Sequence, residues 1–346
     1  MIGKMELGAL LISNGNNMRY VSGFSGETGY LYISGNRHAV ITDSRYTIQA
    51  ELEAEGYEVV TIGNNGYEEV INDILKSDQV ARLGFESEDL LYAKYENLKE
   101  RLQIEELVPI KDEITRLRRI KTPKELEYIR RAEEIGDEVF TEILNFIKPG
   151  MTELEIAARI EYLLKLHGGQ RSSFPAIVAS GINSSMPHAV PSMKKVEQGD
   201  FLTMDFGCVY EGYCSDMTRT IVVGKASDKQ KEIYRTVLEA QTAALDMIRA
   251  GLKGREVDQV ARDIIYKAGY EGCFGHGLGH SVGLFIHENP RLSPMEEEVL
   301  QVGMTETVEP GIYVKGFGGV RIEDLVAVTE NGCDNFTHSE KKLIEL

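Results

Sequence analysis

Four carboxylates in this chain sit where a carboxylate is costly. Asp205 lies in "LTMDFG", Asp216 in "CSDMTRT", Glu309 in "TVEPGIYV" and Glu323 in "VRIEDLVAV", each in or beside an apolar or β-branched run. A carboxylate taken out of water needs a proton or a cation. Imidazoles come from "GHGLGHSVGLFIHE" (275–288), which holds His276, His280 and His287, three of the seven histidines. Their spacing is not His-Glu-x-x-His. The glycines form neither G-x-G-x-x-G nor G-x-x-x-x-G-K-[ST], and an extended "SVGLFIH" follows them, which argues against a nucleotide site. The glycines instead let the backbone approach closely and leave the imidazoles free to point one way. Four carboxylates with one or two imidazoles make a hard donor set. It suits two divalent cations, manganese ahead of structural zinc, which prefers thiolates. Two metals about 3.5–4 Å apart can share a water and lower its pKa, making hydroxide available at neutral pH.

Hairpins would position these acids. "FLTMDFGCVYEGYCSDMTRTIVVG" reads as two strands around a short turn near Tyr210-Glu211-Gly212. A turn centred on Tyr210-Glu211 would put Asp205 directly opposite Asp216, with Cβ atoms about 5 Å apart. In "TETVEPGIYVKGFGGVRIEDLVAVTE" a turn around Gly316 would put Glu309 opposite Glu323.

The two hairpins belong to a repeat. Residues 148–169 align with 249–270 at a constant offset of 101, matching Gly150 to Gly251, Glu155 to Glu256 and Gly168 to Gly269. Each copy follows a long amphipathic helix. Each is followed by His-x-x-Pro (His188 and His287), then acid-x-Gly (Asp205 and Glu309), then a second acid (Asp216 and Glu323). A duplicated unit folds with pseudo-twofold symmetry, so a site on the axis receives matching residues from both halves. His280 has no aligned twin.

Two domains are expected for 346 residues. The first 115 or so alternate strand patterns ("ELGALLIS", "GYLYISG", "HAVIT", "YEVVTI") with helical ones ("RYTIQAELEAEG", "YEEVINDILKS", "LYAKYENLKERL"), an α/β domain. The basic "RLRRIKTPKELEYIRRA" marks the boundary, so the domains are predicted as 1–118 and 119–346. Thr122, Pro123 and Glu125 form a capping box for a helix running to about Phe146, and Ser227 caps another over about Asp228 to Arg249. A formal charge of −17 argues against a nucleic-acid partner. Four cysteines without a C-x-x-C pair fit a reducing cytoplasm, although Cys208 and Cys214 could face each other across the hairpin. A secretory leader and a membrane span are both absent from the pattern.

Together these motifs resemble the pita-bread metallopeptidases, and among them the proline peptidases: Xaa-Pro dipeptidase (prolidase) and aminopeptidase P. Residues 276–288 satisfy H-[GSYR]-[LIVMT]-[SG]-H-x-[LIV]-G-[LIVM]-x-[IV]-H-[DE] at every position. "IVASGINSSMPH", "MDFG", "TVEPGIY" and "RIED" are family-like, and "NMRYVSGFSG" and "TDSRYTIQA" resemble the creatinase-like amino-terminal domain. The resemblance implies an α/β creatinase-like amino-terminal domain and an α+β pita-bread catalytic domain with an internal pseudo-twofold repeat. It implies Asp205, Asp216, His280, Glu309 and Glu323 as ligands of two divalent ions per subunit, manganese first, with cobalt, zinc or iron also accepted. Asp216 and Glu323 would bridge. Asp205 would hold one metal, and His280 with Glu309 the other. A hydroxide would attack the carbonyl before proline, with Glu309 handling its proton. His188 and His287 would contact the peptide and stabilise the tetrahedral intermediate. His276 would shape the substrate pocket. Arg321, grouped with the substrate side, would orient carboxylates, and Tyr313 would line the site or pack in the core. His38, His167 and His338 read as surface or loop.

The expectation is a cytoplasmic homodimer acting on proline-containing peptides. A methionine aminopeptidase-like exopeptidase would normally lack the large amino-terminal domain and this full signature. A creatinase, or a non-catalytic binding protein on the same fold, would have lost metal ligands that are intact here.

Overall fold

Short apolar runs near the amino terminus pair into one mixed sheet. The computed structural model describes residues 2–64 and 66–346, which fall into two units, 1–118 and 119–346. The first contains β1 (Ala9–Ile12), α1 (Gly15–Ser22), β2 (Tyr30–Ser34), β3 (His38–Thr42), α2 (Thr47–Glu53), β4 (Glu58–Thr61), α3 (Tyr67–Ser77), β5 (Arg82–Glu86), α4 (Tyr92–Arg101), β6 (Glu106–Ile110) and α5 (Glu113–Leu117). The sheet order is β4-β3-β2-β1-β5-β6. Side chains alternate across β1. Ala9 and Leu11 join a core with Ile71, Ile74 and Leu98 from α3 and α4, while Leu10 and Ile12 join Met18, Ala50 and Ile114 from α1, α2 and α5. β5, β6, α1 and the short α5 escape the sequence reading. β5 carries Gly84 between charged ends, β6 carries Pro109, and α1 opens on glycine, with the Asn14 side chain accepting from Asn17 N–H as its cap.

The second unit is duplicated. Its first half has α6 (Pro123–Phe146), α7 (Glu153–Leu166), β7 (Arg171–Ser172), β8 (Ile177–Ser180), β9 (Phe201–Phe206), β10 (Cys208–Tyr210), β11 (Tyr213–Cys214) and β12 (Met217–Val222). Its second half has α8 (Asp228–Met247), α9 (Gly254–Lys267), β13 (Gly279–Ser281), β14 (Glu288–Leu292), β15 (Thr305–Val308), β16 (Gly311–Val314), β17 (Gly318–Arg321), β18 (Asp324–Val328) and β19 (Cys333–Asn335). The capping boxes expected at Thr122 and Ser227 are present. α7 and α9 each span 14 residues, 101 positions apart. The glycines before and after them match in conformation, with φ of 92° at Gly150 and 89° at Gly251, and 105° at Gly168 and 91° at Gly269. Left-handed backbone there explains why both copies use glycine. Each half buries its own apolar cluster beneath its helix pair.

One register differs from expectation. The first hairpin turns on Glu211-Gly212, with φ of 47° and 82°, so both central residues are left-handed, as a two-residue turn of type I′ requires. Asp205 therefore faces Thr218 rather than Asp216. The partner moves by two residues, which keeps both acids on one face. Asp216 lies in the break between β11 and β12, and Cys214 pairs with Val209 rather than Cys208; all four cysteines are free. In the second hairpin Val308 pairs with Asp324 and Gly311 with Arg321, a common register that sets Glu309 across from Glu323. A bridge between Thr218 and Glu323 joins the halves.

Candidate active site

β9, the β11–β12 break, β13, and the two ends of the second hairpin deliver the predicted donors to one place. Asp205, Asp216, His280 and Glu323 are buried, and one donor atom each from Asp216, His280 and Glu323 lies within 4.8 Å of the other two. His280 Nε2 is 3.4 Å from Asp216 Oδ2 and 3.6 Å from Glu309 Oε1. Its other ring nitrogen, Nδ1, is 3.1 Å from Ser281 O. That contact assigns the proton to Nδ1 and leaves the Nε2 lone pair facing the acids. Gly279 allows the approach: a Cβ there would stand 1.9 Å from Thr307 O. Thr307 Oγ in turn accepts from His280 N–H and donates to Glu309 Oε1.

The electrostatics are those of an acid cluster built for cations. Burial pushes Asp216 and Glu323 well above the usual carboxylate range, and repulsion from neighbouring acids adds to it. Glu309 is pushed up to about 7, by burial first. Asp205 Oδ2 accepts from Arg321, while Asp205 Oδ1 is buried with no hydrogen-bond partner among the described residues. An orphaned carboxylate oxygen, three raised carboxyl groups, one unprotonated imidazole nitrogen and no thiolate fit hard divalent cations.

Arg321 is committed to the protein. It donates to Thr218 Oγ1 (3.0 Å), Pro187 O (3.2 Å), Tyr313 Oη (2.8 Å) and Asp205 Oδ2. His276 is committed as well, through Nδ1 to Gly277 O (2.7 Å) and Nε2 to the Tyr313 hydroxyl (2.9 Å). Burial, with the Arg321 charge nearby, holds His276 at about 4. Tyr313, left open between site and core, is the hub joining these two. His167, read as surface or loop, is the partly exposed cap at the carboxyl end of α7 and contacts Glu138 (2.8 Å) and Glu142 (3.1 Å) on α6.

The cluster floors a cavity of about 740 Å³. One wall is apolar, with Phe174, Pro175, Ile177, Val190 and Pro191, and the other carries His276, His287 and Arg291. His188 and His287 are both exposed and line it. The His287 ring stands 4.6 Å from that of His280, and partial withdrawal from water against the cavity wall, with the His280 ring and the Arg291 charge nearby, lowers its pKa to about 4. Sequence reasoning overlooked Arg291, which lines the cavity while its guanidinium forms no ion pair among the described residues. Its signal was its place three residues after the His287-Glu288 pair. Glu133 was also overlooked: it accepts from Asp216 N–H (3.2 Å) and from the Thr337 hydroxyl (2.6 Å).

An α/β amino-terminal domain, a duplicated α+β domain and an acid-histidine cluster drawn from both halves of the repeat define a pita-bread metallopeptidase. Residues 127–330 match the metallopeptidase family M24, and residues 2–120 match the creatinase/prolidase N-terminal domain. The chain belongs to that metallopeptidase family. It is 42% identical over 329 residues to a Xaa-Pro dipeptidase of Pyrococcus furiosus, covering 95% of this chain and 92% of the relative. A solved Xaa-Pro dipeptidase from Bacillus anthracis superposes with a TM-score of 0.96 at 44% identity, covering 100% of this chain and 97% of that one. An X-Pro aminopeptidase from Thermotoga maritima gives 0.94 at 37% identity, covering 99% and 98%.

Proposed function

We propose that this protein is a dinuclear metallopeptidase that hydrolyses the bond between an amino-terminal residue and a following proline, with Xaa-Pro dipeptides as its preferred substrates. The observation that carries the reading is the convergence of Asp205, Asp216, His280, Glu309 and Glu323 at the floor of a cavity lined by His188 and His287. Asp216 and Glu323 would each serve both metals, Asp205 one, and His280 with Glu309 the other. Two divalent cations, when bound, supply Lewis acidity and make water nucleophilic at neutral pH.

The chain's own groups do the rest. Glu309 takes the proton of the attacking water at a carboxylate oxygen and returns it to the departing proline nitrogen. His188 and His287 each donate one N–H to the oxygen that gains charge as the carbonyl becomes tetrahedral. His287 does so as a neutral imidazole, since its pKa of about 4 lies below the working pH. The apolar wall receives the proline ring and excludes water. Arg321 orients Asp205, and His276 reaches the site through Tyr313. The preference for dipeptides rests on Arg291, a cation in the cavity with no ion pair of its own among the described residues, placed to receive a free terminal carboxylate.

A cytoplasmic homodimer with two manganese ions per subunit belongs to the same reading. Incubating manganese- or cobalt-loaded protein with Ala-Pro and with Ala-Pro-Ala, and following free alanine, tests it. Faster release from the dipeptide is expected. Release only from the longer peptide would make it an aminopeptidase P, and no release from either would end the enzyme reading.

A further inference from the structure

We infer that Glu153 is a positioning residue for this reaction: its carboxylate fixes the loop that carries His188, and through His188 sets how the peptide is held. The inference rests on the reading of His188 as a substrate contact.

Glu153 is the first residue of α7 and has no exposed surface. Its Oε1 accepts from Ser180 N–H (2.7 Å), the Ser180 hydroxyl (2.9 Å) and the Asn183 amide (3.0 Å). Its Oε2 accepts from Ser192 N–H (3.1 Å) and the Ser192 hydroxyl (2.7 Å). One carboxylate thus ties together both ends of the segment 180–192. The α7 backbone adds two bonds, from Glu153 N–H to Lys194 O (3.0 Å) and from Leu154 N–H to Ser192 O (3.2 Å). Between the clamped ends stand the exposed His188 and the cavity-lining Pro187, Ala189, Val190 and Pro191. Among the described residues no cation pairs with Glu153. Its charge is held by these donors and by the positive end of α7.

The second half of the repeat separates this role from helix capping. The twin of Glu153 is Gly254, where a Cβ would meet Arg291 O at 2.1 Å. There too the helix start is pinned to the segment after its histidine, through Gly254 N–H to Glu298 O (3.3 Å) and Arg255 N–H to Glu296 O (3.2 Å). The carboxylate in that half comes from the segment itself: Glu296 accepts from Arg291 N–H (3.2 Å) and Glu298 N–H (2.9 Å). α9 therefore starts without a carboxylate at this position, and α7 already has the Thr152–Glu155 capping box. What Glu153 adds is the His188 segment. Misplacing a substrate-holding group by about 1 Å can cost roughly 100-fold in rate.

Glu153→Gln keeps the shape and turns one acceptor oxygen into a donor facing donors. The test is steady-state kinetics on Ala-Pro with the manganese-loaded full chain carrying Glu153→Gln, His188→Ala, or both. His188→Ala should lower kcat/KM by roughly 100-fold, and Glu153→Gln by about tenfold, with metal content unchanged. The double variant should be no worse than His188→Ala alone, because the second loss acts through a group already gone. An inert His188→Ala would overturn the reading of His188. A damaging His188→Ala whose loss multiplies with that of Glu153→Gln, or a fully active Glu153→Gln, would overturn the role of Glu153 alone. Should Glu153→Gln fail to fold, Asn183→Ala and Ser192→Ala remove donors from the segment instead. Each should lose activity only while His188 is present, and full activity in both would equally overturn the inference.

Discussion

Thr218 and Glu323, one from each half of the repeat, hold each other twice. The Thr218 hydroxyl donates to Glu323 Oε2 (2.5 Å), and Glu323 N–H donates to Thr218 O (3.1 Å). Thr218 also faces Asp205 across the first hairpin and accepts from Arg321 Nε. One threonine therefore sets the spacing between the two carboxylate hairpins. The donor cluster is a property of the interface between the halves, and neither half holds it alone.

Removing a ligand shared by both metals should differ from removing one that serves a single metal. Asp216→Ala should retain neither metal and lose roughly 1,000-fold or more of its activity on Ala-Pro. His280→Ala should keep the metal held by Asp205. Metal analysis of the purified variants checks this. Full metal retention in Asp216→Ala would contradict the bridging role.

Metal binding should stabilise the protein more as pH rises. In the metal-free protein burial lifts Glu309 from its ordinary 4.5 to about 7, and Asp216 and Glu323 also move up. A carboxyl group whose folded pKa is raised contributes stability below its unfolded value, and that contribution is lost as pH rises through the folded value. For Glu309 the window runs from about 4.5 to about 7, worth on the order of 3 kcal/mol. Metal ions require the deprotonated ligands and so act in the opposite sense. Melting temperatures of chelated and manganese-loaded protein, followed from about pH 5.5 to about pH 8, should diverge as pH rises. Convergence would show that these acids are not the ligands.

The acids, the histidines and the repeat were legible because each is a local pattern. So were α6 and α8, whose capping residues are local signals. The hairpin register was not, because it depended on which residue beside Gly212 would accept a left-handed conformation, and Glu211 does so at φ 47°. β5 and β6 were missed because Gly84 and Pro109 break their strand patterns, although both strands pair in full register within the sheet. Tyr313, Glu153 and Arg291 were missed or left open as site residues for a different reason. Their roles come from contacts over long sequence distances, such as Tyr313 with His276, and periodicity carries no information about those.

Behind Glu323 lies a buried ion pair whose loss should be costly. Arg219 and Asp324 are both buried and meet at 2.8 Å, with Lys341 also on Asp324 at 2.8 Å. Burial alone would raise the Asp324 pKa, but Arg219 and Lys341 outweigh it and hold the group below the usual range. Arg219 also donates to Glu323 O. Asp324→Ala leaves a buried guanidinium uncompensated, so unfolding free energy should fall by about 3–5 kcal/mol. Chemical denaturation measures it. A loss under about 1 kcal/mol would mean that water reaches Arg219.

The last prediction concerns the far end of the substrate. If Arg291 receives the free carboxylate of a dipeptide, Arg291→Ala should raise KM for Ala-Pro by roughly 10- to 100-fold and change kcat little, because that contact is the same in ground and transition states. Ala-Pro-amide, which lacks the charge, should be a poor substrate of the unaltered protein and should lose little further in the variant. Partial desolvation of His287 in the cavity, with the His280 ring and the Arg291 charge beside it, holds its imidazole at about 4, so the variant's pH profile above about 6 should keep its shape. Equal losses on Ala-Pro and its amide would assign Arg291 a role in folding the cavity wall, and the dipeptide preference would then need another source.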